Sequence, residues 1–384
     1  MDHRVSIIIP TYNRAHFLPE CLDALFGQTV PASEVIVVND GSTDSTIEAL
    51  IPYRDNIVYL EKPNGGKASA LNMGLAHATG DFIWIFDDDD ISLPDAMETH
   101  LNVFANNPRG DFTYSGYHVG VFDTEARSLR IIETFKPFIG EGKSLFISFA
   151  LGAFGPGIGF MFQQGMLVRK RCYDILEPFD ESLSSSEDLD MNLRLCLSFR
   201  GLRIDCPTFI FRRHAGVRGP SYDLYSYAER EKKLWESDRK VFRKLYETAD
   251  LSKYLDEQVS DEKKNRQGRA LANRATVMAK WNLDDIVIKD ITELIRLVGN
   301  KEVTLDETTL RQILYIEALC QRKDRRELAN SLHTAIKGLI KAGAGRDLRV
   351  LLAKYYYWKG IENYKKGKRT EFFRGVWRAL DVGI

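Results

Sequence analysis

The sequence predicts an α/β fold, a mostly parallel sheet covered by helices on both faces, followed by an all-helical region. Three observations predict it. Short, branched apolar runs recur through the first 90 residues, each closed by turn residues. Segments of helical spacing lie between those runs, and this alternation favours parallel strands with helical crossovers. After about Ser221 the chain becomes rich in Leu, Ala, Lys, Arg and Glu at helical spacing.

Val5-Ser6-Ile7-Ile8-Ile9 reads as the first buried strand, bounded by Pro10. Thr11-Tyr12-Asn13-Arg14 leads into an amphipathic helix with Leu18, Cys21, Leu22 and Leu25 on one face. Val35-Ile36-Val37-Val38 is a second strand that ends in Asn39-Asp40-Gly41-Ser42-Thr43-Asp44. Asp44 or a neighbouring Ser or Thr caps the next helix. Ile57-Val58-Tyr59-Leu60 is a third strand. Asn64-Gly65-Gly66-Lys67 then turns into a helix that runs to about Ala78. Phe82-Ile83-Trp84-Ile85-Phe86 is the fourth strand, and Pro94 suits the first turn of the helix beyond it.

The fourth strand delivers Asp87-Asp88-Asp89-Asp90. Four adjacent like charges repel one another unless a cation relieves them. Hard divalent cations take carboxylate oxygens and share them with substrate phosphates. In open α/β sheets ligands bind beyond the carboxyl ends of the strands, which is where this run falls. A solvated acidic loop is the competing reading.

Together these segments resemble glycosyltransferase family 2, the inverting enzymes with a GT-A fold that use nucleotide-sugar donors. The ordered set is Ser6 to Arg14, Val37 to Asp44, Asn64 to Lys67 with Ala70-Leu71-Asn72 and Gly74, Gly80-Asp81, the acidic run, and Leu93-Pro94-Asp95. The likeness covers roughly residues 4 to 215. It implies a GT-A catalytic domain over 1–221 and an α-helical domain over 222–384 that serves acceptor, membrane-surface or assembly roles. It also implies Mn²⁺ or Mg²⁺ as cofactor. Asp89 becomes the direct metal ligand, Asp87 a ligand directly or through water, and Asp88 a ribose contact. Asp40 is placed to accept the ring N–H of uracil or thymine, which makes a UDP-sugar the expected donor. Thr11, Tyr12 and Arg14 line the base and ribose pocket, Pro10 shapes the turn, and Lys67 joins the donor-binding set.

A second acidic signal is Ser184-Ser185-Ser186-Glu187-Asp188-Leu189-Asp190, ahead of Leu193, Leu195 and Leu197. Serines before acidic residues also suit a helix N-terminus, for capping and dipole reasons. The resemblance places the catalytic base in this acidic pair: Asp188 matches best, with Glu187 and Asp190 as fallbacks. Phe209-Ile210-Phe211-Arg212-Arg213-His214 reads as a strand ending in basic residues. His214 is assigned to the metal or diphosphate side, and Arg212, Arg213 and Arg218 are candidates for phosphate pairing.

Other classes fit less well. No G-x-G-x-x-G follows the first strand, and the glycine that a P-loop ending at Gly142-Lys143-Ser144 requires falls at Pro137. A formal net charge of -1 gives no footprint for nucleic acid. The five cysteines form no C-x-x-C pair and suit free thiols in a reducing compartment. Ser144 to Val168 carries no charge, yet its Gly-Pro cluster from Gly152 to Gly159 breaks a lipid-exposed helix. A short helix at 144–151, a glycine-rich loop and a strand through Met166-Leu167-Val168 are expected instead. The expected location is cytoplasmic or peripheral at the inner membrane face. The aromatic and basic tail from Lys354 to Trp377 suits either an anionic membrane surface or a packed helical hairpin, with a homo-oligomer as a further expectation. The expected acceptor is a glycan, a lipid-linked sugar or a protein. Two alternatives stand beside this reading: an inactive relative acting as a scaffold, and a sugar-phosphate nucleotidyltransferase.

Overall fold

The computed structural model describes residues 3–123, 128–137, 144–152, 161–214, 229–255, 263–320, 334 and 337–339. Two compact units divide the chain: 1–140 with 148–241, and 141–147 with 242–384. The expected domain boundary at Ser221 and the tail after 340 lie outside the described residues.

The first unit is built on a mixed sheet of nine strands among the described residues. These are β1 (Val5–Thr11), β2 (Glu34–Asn39), β3 (Val58–Glu61), β4 (Phe82–Ile85), β5 (Ile91–Ser92), β6 (Phe112–Asp123), β7 (Ser128–Phe135), β8 (Met166–Arg169) and β9 (Gly201–Arg213). Their order is β3-β2-β1-β4-β8-β6-β9-β5, with β7 added on β6. The half that the sequence marked out, β3-β2-β1-β4, is parallel throughout. β8 runs antiparallel to both β4 and β6, and β9 runs parallel to β6. Two reversals restore the original direction. The carboxyl ends of β1, β2, β4 and β9 therefore share one edge of the sheet, although β1 begins at Val5 and β9 only at Gly201.

Helices α1 (Leu18–Phe26), α2 (Thr46–Leu50), α3 (Lys67–His77) and α4 (Ala96–Asn106) follow β1, β2, β3 and β5. The predicted apolar face of α1 is buried in full: Leu18, Cys21, Leu22 and Leu25 join Ile7, Ile9, Val35, Val37 and Trp84 in one core. Each such side chain contributes about 1.5–3 kcal/mol through burial. Ser45 flanks α2 without a side-chain cap, and Asp44 before it accepts from the Thr46 N–H at 3.1 Å. Pro94 lies two residues before α4 rather than in its first turn, because Asp95 takes the position that flanks the helix. α5 (Leu145–Gly152) and β8 stand where the uncharged stretch predicted a helix and a strand, and residues 153–160 between them lie outside the description. No helix among the described residues is long and apolar enough to cross a membrane. α6 (Lys170–Ile175) and α7 (Glu187–Ser198) complete the helices before β9.

The second unit is helical. α8 (Arg230–Thr248) leads into it, and α9 (Lys263–Lys280), α10 (Asp284–Gly299) and α11 (Glu307–Cys320) follow. Its core holds Trp281, which stacks on Phe242 at 4.5 Å, and the buried ion pair of Arg274 with Asp290 at 2.6 Å. Leu310, Ile313 and Ile316 of α11 are buried.

Candidate active site

The common edge gathers the residues that carry chemistry. Thr11 closes β1, Asn39-Asp40 closes β2, the acidic run closes β4 and His214 follows β9. Two loops at this edge are knitted together by Asn13, which sits at φ 54. Its side-chain oxygen accepts from the Thr43 N–H at 2.7 Å, and its own N–H donates to Ser42 Oγ at 2.9 Å. Asx side chains tolerate this left-handed backbone because they bond locally. Tyr12 and Arg14 flank it, half-buried, and Pro10 is buried within β1.

Asp40 is the organiser of the turn that precedes α3. Its carboxylate accepts from Lys62 Nζ at 2.9 Å, Asn64 Nδ2 at 3.0 Å, Gly65 N at 3.0 Å and Gly66 N at 2.8 Å. Four donors match the roughly four lone-pair sites of an ionised carboxylate. Gly66 adopts φ 89, which a side chain would strain, and this explains the glycine at that position. Sequence reasoning placed Asp40 correctly at the strand end but missed Lys62, whose basic character next to Pro63-Asn64-Gly65-Gly66 was the available signal.

Within the acidic run each carboxylate meets a different neighbour. Asp87 pairs with Lys67 Nζ at 2.6 Å. Asp89 meets His214 Nε2 at 2.7 Å, so residues 125 positions apart are brought together. Asp90 is fully buried and accepts from Gln164 Nε2 and from the Arg212 N–H, both at 2.8 Å. Burial and the neighbouring Asp89 push the Asp88 carboxyl up to about 8, against the opposing pull of the Thr11 hydroxyl and Arg14. One ligand atom each from Asp87, Asp89 and Asp90 lies within 4.8 Å of the others. An oxygen donor set of this kind suits Mg²⁺ or Mn²⁺. Both Asp90 oxygens are engaged by protein donors, while Lys67 and His214 engage one oxygen each of Asp87 and Asp89.

The second acidic segment reaches the same place through Lys67. That ammonium, 2.6 Å from Asp87, also stands 3.6 Å from Glu187 Oε1 at the start of α7. Burial opposes its charge, yet Asp87, Glu187 and Asp188 together hold it above the ordinary lysine range. Burial raises the Glu187 carboxyl to about 7, with Lys67 opposing and Asp188 adding to the rise. Asp188 Oδ1 accepts from the Leu189 N–H at 2.7 Å. Asp190 turns the other way and pairs with Arg194 at 2.6 Å.

The serine signal before α7 has a different basis from capping. Ser186 flanks the helix at φ 65 and makes no side-chain cap; its hydroxyl donates to Asp238 Oδ1 at 2.6 Å. Asp238, on α8, escaped sequence reasoning because 52 residues separate the partners. Arg212 pairs with Glu20 at 2.9 Å and Arg213 approaches Glu133 at 3.9 Å; Arg218 lies outside the described residues.

Residues 6–171 match the family model of glycosyl transferase family 2. An uncharacterized glycosyltransferase of Rickettsia prowazekii is 32% identical over 188 residues, 49% of this chain and 57% of that protein. The chondroitin synthase of Pasteurella multocida is 37% identical over 145 residues, 33% of this chain and 15% of that protein. The chain thus spans a little over half the length of the Rickettsia relative. Among solved structures, S. aureus TarS 1-349 in complex with UDP is 17% identical, with 95% of this chain and 92% of that one covered and a TM-score of 0.48.

Proposed function

From the family 2 glycosyl transferase match over residues 6–171, we propose that the chain moves a sugar from a nucleotide sugar to an acceptor hydroxyl with inversion at the anomeric carbon. The observation that carries this reading is the convergence at one sheet edge. Lys67 Nζ stands 2.6 Å from Asp87 and 3.6 Å from Glu187, and His214 meets the neighbouring Asp89 at 2.7 Å.

Asp188 acts as general base. It takes the proton of the acceptor hydroxyl as that oxygen attacks the anomeric carbon, and the bond to the nucleoside diphosphate breaks on the opposite face. A divalent cation held by Asp87 and Asp89, with His214 beside them, neutralises charge on the diphosphate when bound. Lys67 keeps the two acidic groups at a fixed separation and adds positive charge near the leaving group. Pro10, Thr11, Tyr12 and Arg14 form the nucleoside side, and Asp88 faces the ribose.

Asp40 is the proposed base contact, with UDP-sugars as the favoured donors. Its four protein donors mean that a uracil N–H must replace one of them. The Lys62 ammonium, on a flexible side chain that is partly exposed, is the one that yields. The acceptor is proposed to be a glycan, a lipid-linked sugar or a protein, delivered with help from the helical unit.

The test is release of nucleoside diphosphate from a panel of UDP- and GDP-sugars, in Mn²⁺, in Mg²⁺ and in excess chelator. UDP release that needs the ion is expected. Release of pyrophosphate instead would make the chain a nucleotidyltransferase, and no turnover of any donor would favour a scaffold.

A further inference from the structure

Asp238 lies on α8, outside the stretch that matches the family model, and is buried to 2% exposure. A carboxylate is placed there at a cost unless it is hydrogen-bonded. Its partner is the Ser186 hydroxyl at 2.6 Å. The next residue back, Ser237, donates its hydroxyl to the Ser185 carbonyl oxygen. Two consecutive residues of α8 thus grip two consecutive residues ahead of α7. The gripped segment is strained: Ser186 holds φ 65 and ψ 18, a left-handed conformation that costs a non-glycine residue about 1–2 kcal/mol. Such strain persists only where the surroundings over-determine it. Glu187 and Asp188 follow directly, so the conformation of Ser186 sets the direction in which the first turn of α7 leaves.

We propose that Asp238 is a positioning residue: through Ser186 it fixes the first turn of α7 and so aims the Asp188 carboxylate at the acceptor. This rests on Asp188 being the base, as proposed above. The charges of Lys67, Glu187 and Asp238 all interact with that of Asp188. A displacement of the base by about 1 Å costs up to about 100-fold in rate.

The experiment uses the full chain and measures UDP release from UDP-glucose, UDP-galactose and UDP-GlcNAc, with UDP affinity by calorimetry. Asp238→Ala and Ser186→Ala are each expected to lower kcat by about 10- to 100-fold with UDP affinity and donor KM within about twofold of wild type. Asp238→Asn should recover most of that loss, because its amide oxygen still accepts from the Ser186 hydroxyl. In an Asp188→Asn background, Asp238→Ala should have no further effect on kcat. Amide hydrogen exchange should quicken at 187–190 in Asp238→Ala while 193–198 stay protected, a readout independent of turnover.

Parallel loss of UDP affinity and kcat in Asp238→Ala, or an undiminished effect of Asp238→Ala in the Asp188→Asn background, would overturn the positioning role and leave a purely structural one. If Asp238→Ala fails to fold, Asp238→Asn and Ser186→Ala carry the same comparison. Full turnover by Asp188→Asn alone would overturn the base assignment instead. No nucleoside diphosphate release by the wild-type chain from these three or from any other donor of the UDP- and GDP-sugar panel would overturn the proposed function and this inference with it.

Discussion

The acidic run that ends β4 and the acidic turn that opens α7 look alike in sequence and are supported in opposite ways. Each of the four strand-end carboxylates has its own neighbour: Lys67 for Asp87, Thr11 and Arg14 for Asp88, His214 for Asp89, Gln164 and the Arg212 N–H for Asp90. Most of those partners come from the ends of neighbouring strands or from the helix that follows β3. The α7 carboxylates rest on less: Glu187 shares Lys67, Asp188 bonds to the adjacent Leu189 N–H, and the turn itself is held from α8. A sheet edge assembles a site through its own ladder, whereas a helix start needs a remote grip to fix its direction. The first group is therefore expected to govern donor and ion, and the second to govern the rate of transfer.

The largest effect should come from the second group. Asp188→Asn is expected to lower transfer by about two to four orders of magnitude while calorimetric UDP affinity stays at the wild-type value. If affinity and transfer fall together, Asp188 belongs with the donor side, and Glu187 becomes the candidate base. Asp190 is a poorer substitute, since its carboxylate is engaged by Arg194.

Asp89→Asn should show the contrasting pattern. It loses an anionic oxygen that meets the His214 ring and, on the proposed reading, holds the ion, so binding and turnover should fall together. The expected loss in turnover is about 100- to 1,000-fold, with UDP affinity in Mn²⁺ weakened and UDP affinity in chelator unchanged. Full activity in excess chelator would remove the distinction between the two groups altogether.

Asp40→Ala tests a strand-end carboxylate whose role is to build rather than to bind an ion. Four donors, two of them the N–H groups of Gly65 and Gly66, lose their acceptor at once. A cost of about 1–3 kcal/mol in stability is expected alongside the loss of UDP affinity. Thermal unfolding with and without UDP separates the two. An unchanged Tm with lost affinity would show that Asp40 serves the base alone and that the turn stands without it.

Legibility in the sequence divides along the same line. β1, β2 and β4 were plain because buried parallel strands are short, branched runs, and the acidic run was plain because it ends one of them. The long β6 and the largely exposed β7 left no such mark: Gly116, Gly120 and His118 interrupt the first, and Arg130, Glu133 and Thr134 the second. The meeting of His214 with Asp89 depended on β6, β8 and β9 restoring the strand direction, which no local pattern encodes. The Ser-Ser-Ser-Glu-Asp signal was found, but its serines serve α8 rather than the helix they precede. Side-chain partners 52 residues apart leave no periodicity to detect.

The smallest effect expected is on stability against pH, and it isolates the remote grip. Burial raises the Asp238 carboxyl to about 7, with the Ser186 hydroxyl opposing and Asp188 adding to the rise. In the unfolded chain the same group titrates near 3.9. Between those two values the folded state binds the proton more tightly than the unfolded state, so stability falls as pH rises from about 4 to about 7. Glu187, raised to about 7 by burial, adds a slope of the same sign. Asp238→Asn removes one of these titrations and keeps the acceptor for Ser186. Its Tm should therefore decline less than that of wild type between pH 5 and pH 8. A gain of about 1 kcal/mol over wild type at pH 8 corresponds to roughly 2–4 °C. Asp88, raised to about 8 by burial and Asp89, adds a slope of the same sign that extends from about pH 4 to about pH 8, so Asp88→Asn should also flatten the decline. Identical Tm profiles for wild type and Asp238→Asn would mean that Asp238 stays ionised throughout, held by its hydroxyl donor, and that the grip on α7 is insensitive to pH.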